Sequence, residues 1–358
     1  MELGKIYGAF RDSVQGIAGK VKEHTVREID IKVCMLGARG VGKTSVLTSI
    51  FYDGNSKDGF YGTKIRLYAT PDTSSELTKK HDLLRDVFKH RENISALGAT
   101  SGVNEFKLQL GLLSEAPNIN LLITDYPGEK VETEKQYVAD RIKESEVVIV
   151  AIDSPYMMEN DDAKDEEKNR TGLIRDFLLE NIGNLKEKII LFVPLKCEKY
   201  LDLKRDKAEK NDRSGVLADK VERAYKEVID QLAKQENVAI AITPILTMGG
   251  VVFDGFELNS EGGQGARYKF YDGETVDGLR AKYEPLFCSQ PIFYLLSFVT
   301  RQYKLKRKSA DLLGRFFQNF ENVDDFFEEM VKIDKRRLIG PQGYRVLAGK
   351  DLFFCKNM

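Results

Sequence analysis

The sequence predicts an α/β fold: a mainly parallel sheet wrapped by helices, with a ligand at the carboxyl ends of its strands. Three observations predict it. An apolar run, Ile31 to Leu36, passes through a glycine-rich turn into Ser45 to Phe51, which has helical spacing. A second apolar run, Ile119 to Thr124, ends in Asp125-Tyr126-Pro127-Gly128. Further runs at Glu146 to Asp153, Lys188 to Pro194 and Val238 to Leu246 alternate with the helix-period segments Val131 to Ser145, Thr171 to Ile182 and Arg213 to Gln235. Strand-length runs separated by amphipathic helices are the mark of βα units.

The glycine-rich turn reads Gly37-Ala38-Arg39-Gly40-Val41-Gly42-Lys43-Thr44, the G-x-x-x-x-G-K-[ST] pattern in the strand–turn–helix setting that gives it meaning. Glycines let successive backbone N–H groups converge on a polyphosphate at the positive end of the following helix. Lys43 places an ammonium against the terminal phosphates, and the Thr44 hydroxyl can ligate Mg²⁺. The competing reading is a chance glycine-rich turn.

The first thirty residues read as an amphipathic arm. Leu3, Tyr7, Phe10, Val14, Ile17 and Val21 form one narrow apolar stripe, weakened by Gly4, Gly8, Gly16 and Gly19. Packing on the protein's own body is expected; docking of residues 1–26 on a partner helix or a membrane surface is the alternative. After the first helix, Asp53 to Ala99 reads as a long polar excursion holding one helix. That helix begins at Thr73, with Glu76 completing a capping box and Leu77, Leu84, Val87 and Phe88 on one face. Asn104 to Leu112 alternates as a half-exposed strand, Phe106, Leu108 and Leu110 facing inward, and Ser114 to Pro117 turns the chain back.

Asp125, at the end of a buried strand, can hold Mg²⁺ through water beside Thr44, and Gly128 can offer its N–H to a γ-phosphate. An Asp-Pro-Gly turn of no further meaning is the alternative. Thr100, in the loop before the hairpin, is the candidate second hydroxyl for Mg²⁺ and the γ-phosphate.

A phosphate loop, a threonine-bearing loop, a strand hairpin and then D-x-x-G resemble the switch architecture of translation-factor and Ras-like P-loop GTPases. The D-Y-P-G-E form, the long excursion and the T-P-I-L-T-M-G-G stretch from Thr243 are similar to a bacterial double-GTPase group of regulatory GTPases. The resemblance covers roughly residues 31 to 300. It implies GTP or GDP with Mg²⁺ as ligands, and a nucleotide-contacting set of Gly37, Gly40, Val41, Gly42, Lys43, Thr44, Ser45, Thr100 and Gly128. Thr44, Asp125 and Thr100 would serve the metal. Leu195-Lys196-Cys197-Glu198 stands in the place of the guanine-reading N/T-K-x-D motif, so Lys196 and Glu198 are the base-side candidates. Leu195 supplies no hydrogen bond there, and Glu198 is one methylene longer than the family's aspartate. The residue after D-x-x-G is Glu129, a carboxylate that repels the γ-phosphate yet can accept a proton from attacking water. Arg39 either stabilises transition-state charge in cis or points outward.

The resemblance implies a regulatory GTPase whose loops around Thr100 and Asp125–Gly128 control a protein effector or regulator. An ATPase and a nucleotide-binding pseudo-enzyme are the alternatives. The expected division is an arm at 1–30, a GTPase domain at 31–306 with inserts at 53–99, 154–170 and 251–285, and a helical extension at 307–358. Within the inserts, Glu159 to Lys168 reads as a solvated acidic loop, and Val251 to Pro285 as a β-hairpin accessory. Ser289 and Pro291 open an apolar helix running to about Tyr303 and into Lys304, Lys306, Arg307 and Lys308. Phe-rich helices follow, through Leu312, Phe316, Phe320, Phe326 and Met330. Leu338 to Met358 carries no pattern that assigns it an element.

Composition bounds the rest. The chain has 358 residues, 42% hydrophobic and 31% charged, and a formal net charge of −1, which gives no bulk attraction to nucleic acid or anionic membrane. No apolar run approaches a membrane span, and the N-terminus carries no secretory pattern. Cys34, Cys197, Cys288 and Cys355 lack metal-site spacing and read as reduced thiols in a cytoplasmic protein. With 3 histidines, a His-rich metal site is not expected.

Overall fold

The structure is a computed structural model and describes residues 29–54, 60–90, 104–113, 119–125, 130–159, 162–201, 212–235, 237–258, 264–271, 282–306, 325–326, 328–330 and 343–353. The expected arm, the Ser114 to Pro117 turn and most of the Phe-rich segment after Lys306 lie outside these residues.

The centre of the molecule is a sheet of eight strands. In chain order they are β1 (Ile29–Leu36), β2 (Ile65–Ala69), β3 (Asn104–Leu112), β4 (Ile119–Asp125), β5 (Val147–Asp153), β6 (Ile189–Leu195), β7 (Ala239–Ile242) and, from the far end of the chain, β10 (Arg345–Ala348). The spatial order is β10-β7-β6-β5-β1-β4-β3-β2. The five central strands, β7 to β4, run parallel, while β3, β2 and β10 pair antiparallel at the two edges. From β1 the chain moves first to one side, through β2, β3 and β4, and then crosses to the other through β5, β6 and β7. Ligand sites in open α/β sheets lie outside the carboxyl ends of the strands at such a reversal.

The period-two rule divides the core. Ile31, Val33 and Met35 of β1 face one layer, built with Val46, Leu47, Ile50 and Phe51 of α1 (Lys43–Gly54) and with Ile292, Phe293 and Leu296 of α10 (Gln290–Lys306). Cys34 and Leu36 face the other layer. It contains α4 (Lys135–Glu144), preceded by the single turn α3 (Lys130–Thr133), together with α7 (Thr171–Glu180), α8 (Ser214–Ala224) and α9 (Lys226–Leu232). β5 and β6 are buried at every position, as parallel strands covered on both faces must be.

Several elements differ from the sequence expectation, each for a local reason. The excursion contributes β2, whose Ile65 and Leu67 alternate into the core although the stretch around it is polar. The helix after it, α2 (Pro71–His90), starts two residues before Thr73, because Pro71 has the fixed φ suited to a first helical position. Thr73 instead accepts the backbone N–H of Lys107 at 3.1 Å, tying that first turn to β3. The acidic insert is no loop: Ser154–Glu159 (α5) and Asp162–Asn169 (α6) are helical. Glu166 accepts the N–H groups of Gly172 and Leu173 at the start of α7, a role for acidic residues that an exposed loop would not offer. The expected long helix from Arg213 bends at Tyr225, which is fully buried against Phe192. Within the segment expected as a helical extension, residues 345–348 form β10 on the free edge of β7, followed by the short α11 (Lys350–Phe353). The β-hairpin accessory is present as β8 (Val251–Leu258) and β9 (Gln264–Phe270), a separate two-stranded sheet.

Cys34, Cys197 and Cys288 are buried thiols outside any disulfide. Among the described residues no helix is long and apolar enough to cross a membrane.

Candidate functional site

The site lies where β1, β4, β5 and β6 end. Beyond Leu36 the chain turns through Gly37, Gly40 and Gly42, all at positive φ. Gly37 has φ 145°, and a Cβ there would stand 2.9 Å from the Ala151 carbonyl oxygen of β5, so the turn can pass the neighbouring strand only as glycine. Val41 is a core residue, which leaves its backbone N–H as the group it can offer a ligand, and Ser45 is half-buried in the first turn of α1. Arg39 is exposed at the tip of the loop.

Two side chains at the start of α1 fix the geometry. Lys43, 6% exposed, donates from Nζ to the carbonyl oxygens of Gly37 at 2.9 Å and Ala38 at 3.2 Å, holding its ammonium along the turn. Thr44 donates its hydroxyl to Asp125 Oδ2 at 2.6 Å. The structure therefore brings together two sequence motifs 81 positions apart. Asp125 is wholly buried, and among the described residues its Oδ1 has no hydrogen-bond partner. A buried carboxylate with one unsatisfied oxygen, beside a hydroxyl, is the donor chemistry of a hard divalent cation. The residues present fit Mg²⁺. Strand order, glycine turn and these side chains together make this the P-loop NTPase α/β fold.

Thr100, Gly128 and Glu129 lie outside the described residues.

On the base side the structure separates the two candidates. Lys196, in a left-handed conformation just after β6, pairs with the buried Asp153 at 2.5 Å and reaches the Gly40 carbonyl at 3.5 Å. It thus joins the end of β5 to the phosphate loop. Glu198 is buried, and its Oε1 accepts the backbone N–H groups of Met248 at 3.2 Å and Gly249 at 3.1 Å. That oxygen anchors the loop after β7. The accessory hairpin closes over this side. Tyr268 of β9 carries the Lys196 ammonium 5.8 Å from its ring centroid, and Phe256 of β8 packs edge-on to Tyr156. Burial, then the charges of Asp153 and Glu198, push the Tyr268 phenol well above its ordinary range, so it stays a neutral hydroxyl.

Sequence reasoning passed over Asp153, Lys168, Asn169 and Tyr268. Asp153 had a usable signal, since it ends a buried strand in the same way as Asp125. The other three sit in inserts whose local pattern says nothing about the nucleotide side of the sheet.

No protein-family model and no curated protein matches the chain. Among solved structures it is similar to the GTPase-like domain of Ski7 from S. cerevisiae bound to GDP and inorganic phosphate, at 13% identity and a TM-score of 0.39, over 80% of this chain. The chain spans about half, 52%, of that Ski7 chain. It is also similar to the Arl6 BBS3 small GTPase from Trypanosoma brucei with a bound nucleotide analogue, GppNp. There the identity is 12% and the TM-score 0.31, over 60% of this chain and 87% of that one. A third similarity is to Sup35 complexed with GDP, at 10% identity and a TM-score of 0.30, over 64% and 40% of the two chains. Likenesses this distant do not carry a ligand or an activity from those proteins to this one.

Proposed function

We propose that the chain is a regulatory GTPase that binds GTP with Mg²⁺ and hydrolyses it to GDP. In this reading the loops around Thr100 and Asp125–Gly128 change with the nucleotide and control a protein partner. The observation that carries the reading is the Thr44–Asp125 pair beside Lys43 at the end of β1. The backbone of Gly37, Gly40, Val41 and Gly42 and the Lys43 ammonium hold the phosphates, with Ser45 in the same turn of α1. Thr44 and Asp125 hold Mg²⁺, with Thr100 as a further hydroxyl; when bound, the ion neutralises charge on the phosphate oxygens. Gly128 offers its N–H to the γ-phosphate, Glu129 accepts a proton from water, and Arg39 adds positive charge at the loop tip. The Lys196 stem lies along the base and Glu198 reads its edge. Residues 31–306 form the nucleotide unit in this reading, between the 1–30 arm and the 307–358 extension, and the setting is cytoplasmic.

A second reading is favoured by one observation. Glu198 Oε1 is engaged by two backbone N–H groups, which suits a site that holds phosphates and discriminates weakly between bases. In that case ATP serves equally.

A thermal-shift titration with Mg²⁺ and GTP, GDP, ATP or ADP tests both. A ligand that binds only the folded state at a hundred times its Kd adds about 2.7 kcal/mol to apparent stability. The expected result is a shift with guanine nucleotides that is lost in Lys43→Ala. Equal shifts with adenine nucleotides would replace the first reading by the second. No shift, with no nucleotide found by mass spectrometry of the denatured protein, would overturn both.

A further inference from the structure

The acidic insert carries one cation to the phosphate loop. Asn169, at the end of α6, is 1% exposed and clamps both backbone groups of Asp153: its Oδ1 accepts the Asp153 N–H at 2.7 Å and its Nδ2 donates to the Asp153 carbonyl at 3.1 Å. The same Nδ2 donates to Asp165 Oδ1 at 2.6 Å, and Asp165 Oδ2 accepts the Thr171 hydroxyl at 2.9 Å. The helix end is therefore bolted to the carboxyl end of β5, one strand from the phosphate loop.

Lys168 precedes that bolt. Its Nζ stands 3.4 Å from the point where a Cβ on Gly40 would be, and 5.5 Å from the Tyr156 ring centroid. Among the described residues this ammonium has no carboxylate or hydrogen-bond acceptor in contact. Burial lowers the Lys168 pKa first, the neighbouring Lys196 lowers it further, and Asp153 and Glu167 act in the opposite direction. Asp153, the carboxylate that acts most strongly on it, already gives its Oδ2 to Lys196. Two ammonium groups thus converge beside Gly40 with one buried carboxylate between them. A half-buried cation that loses part of its hydration and has no carboxylate of its own is stabilised when an anion arrives.

We propose that Lys168 is a phosphate-contacting residue, a second cation supplied in cis by the acidic insert to the polyphosphate of the nucleotide at Gly40. The inference rests on the reading of this loop as a nucleotide site and adds to it a residue outside the G-x-x-x-x-G-K-[ST] pattern. The insert then has a purpose: its acidic residues fasten α6 and α7, and its half-buried Lys168 serves the ligand.

Calorimetry on the full chain tests it, with Mg²⁺ and whichever diphosphate, GDP or ADP, the wild type binds, and with the matching nucleoside as a probe lacking phosphate. Lys168→Met is expected to weaken the diphosphate by about tenfold and to leave the nucleoside unchanged. Lys168→Arg is expected to stay within roughly threefold of wild type. Ligand-free Lys168→Met is expected to unfold at the same or higher denaturant, because an uncompensated cation has gone. Diphosphate binding equal to wild type in Lys168→Met would overturn the proposal, as would equal loss for diphosphate and nucleoside. A wild type that binds no nucleotide at all would overturn the underlying reading instead.

Discussion

Asp125 accepts the hydroxyl of Thr44 with one carboxylate oxygen and keeps the other buried, without a partner among the described residues. The first prediction follows from that asymmetry. Thr44→Val keeps the shape and removes the donor, leaving Asp125 wholly buried without this hydrogen bond, at a cost of about 1–3 kcal/mol. Denaturant unfolding of the ligand-free protein should show that loss. Mg²⁺ should then cease to enhance the nucleotide-induced thermal shift. A shift that stays as sensitive to EDTA as in wild type would remove Thr44 from the metal site.

Glu198→Gln separates the two roles of that side chain. Glutamine retains an oxygen acceptor for the Met248 and Gly249 N–H groups, so the loop anchor persists while the charge disappears. If the carboxylate reads guanine, GTP affinity falls by about tenfold, near 1.4 kcal/mol, with ATP affinity unchanged. A constant ratio of the two affinities would assign Glu198 to the loop alone.

Arg39→Ala addresses turnover. The residue is exposed at the tip of the phosphate turn and contributes no side chain to the core. Nucleotide affinity is expected to hold within about twofold, and single-turnover hydrolysis to slow by at least roughly tenfold if the guanidinium acts in cis. Unchanged hydrolysis would rule out a cis role.

His81 predicts a pH effect on stability. It stacks on Tyr52 of α1 at 3.4 Å and lies edge-on to Tyr283, joining α2 to the helix that follows the phosphate loop. Burial lowers its pKa first and Arg85 adds to this, against the opposing effect of Asp82. With a folded pKa below the unfolded one, the unfolded chain binds more protons between the two values. The contribution of His81 is therefore complete above the unfolded pKa, near 6.5, and is lost as pH falls toward the folded value. His81→Phe keeps a ring on Tyr52 and removes the proton. The urea midpoint should fall less between pH 7 and pH 5.5 in the variant than in wild type, and identical slopes would exclude His81 as the source.

What the sequence disclosed followed from how local each signal was. β5 and β6 are continuous apolar runs, β1 and β4 are apolar but for Asp30, Lys32 and Asn120 before their last residues, and β3 alternates, so their burial is written in neighbouring residues. The glycine turn and Asp125 were legible because a polyphosphate demands those residue types at those spacings. β2 was hidden by the polarity of the excursion around it, and β10 by its length, four half-buried residues that are too few to show an alternating pattern. The acidic helix α6 was hidden for another reason: Glu166 and Asp165 find their partners at the start of α7, and the clamp of Asn169 on Asp153 is a tertiary contact. Lys168 acquires meaning only when that clamp sets it beside Gly40.

The pairing of β10 with β7 has a consequence for biosynthesis. Val346 sits opposite Ala241, so the sheet receives its outermost strand roughly a hundred residues after the strand it covers. At about 5–20 residues per second, a ribosome leaves β7 uncovered for roughly 5–20 s. Through that interval a nascent chain presents a row of unpaired N–H and C=O groups, the template on which other strands add. Translational pauses late in the message would prolong this exposure, and a chain released before residue 345 would keep it permanently.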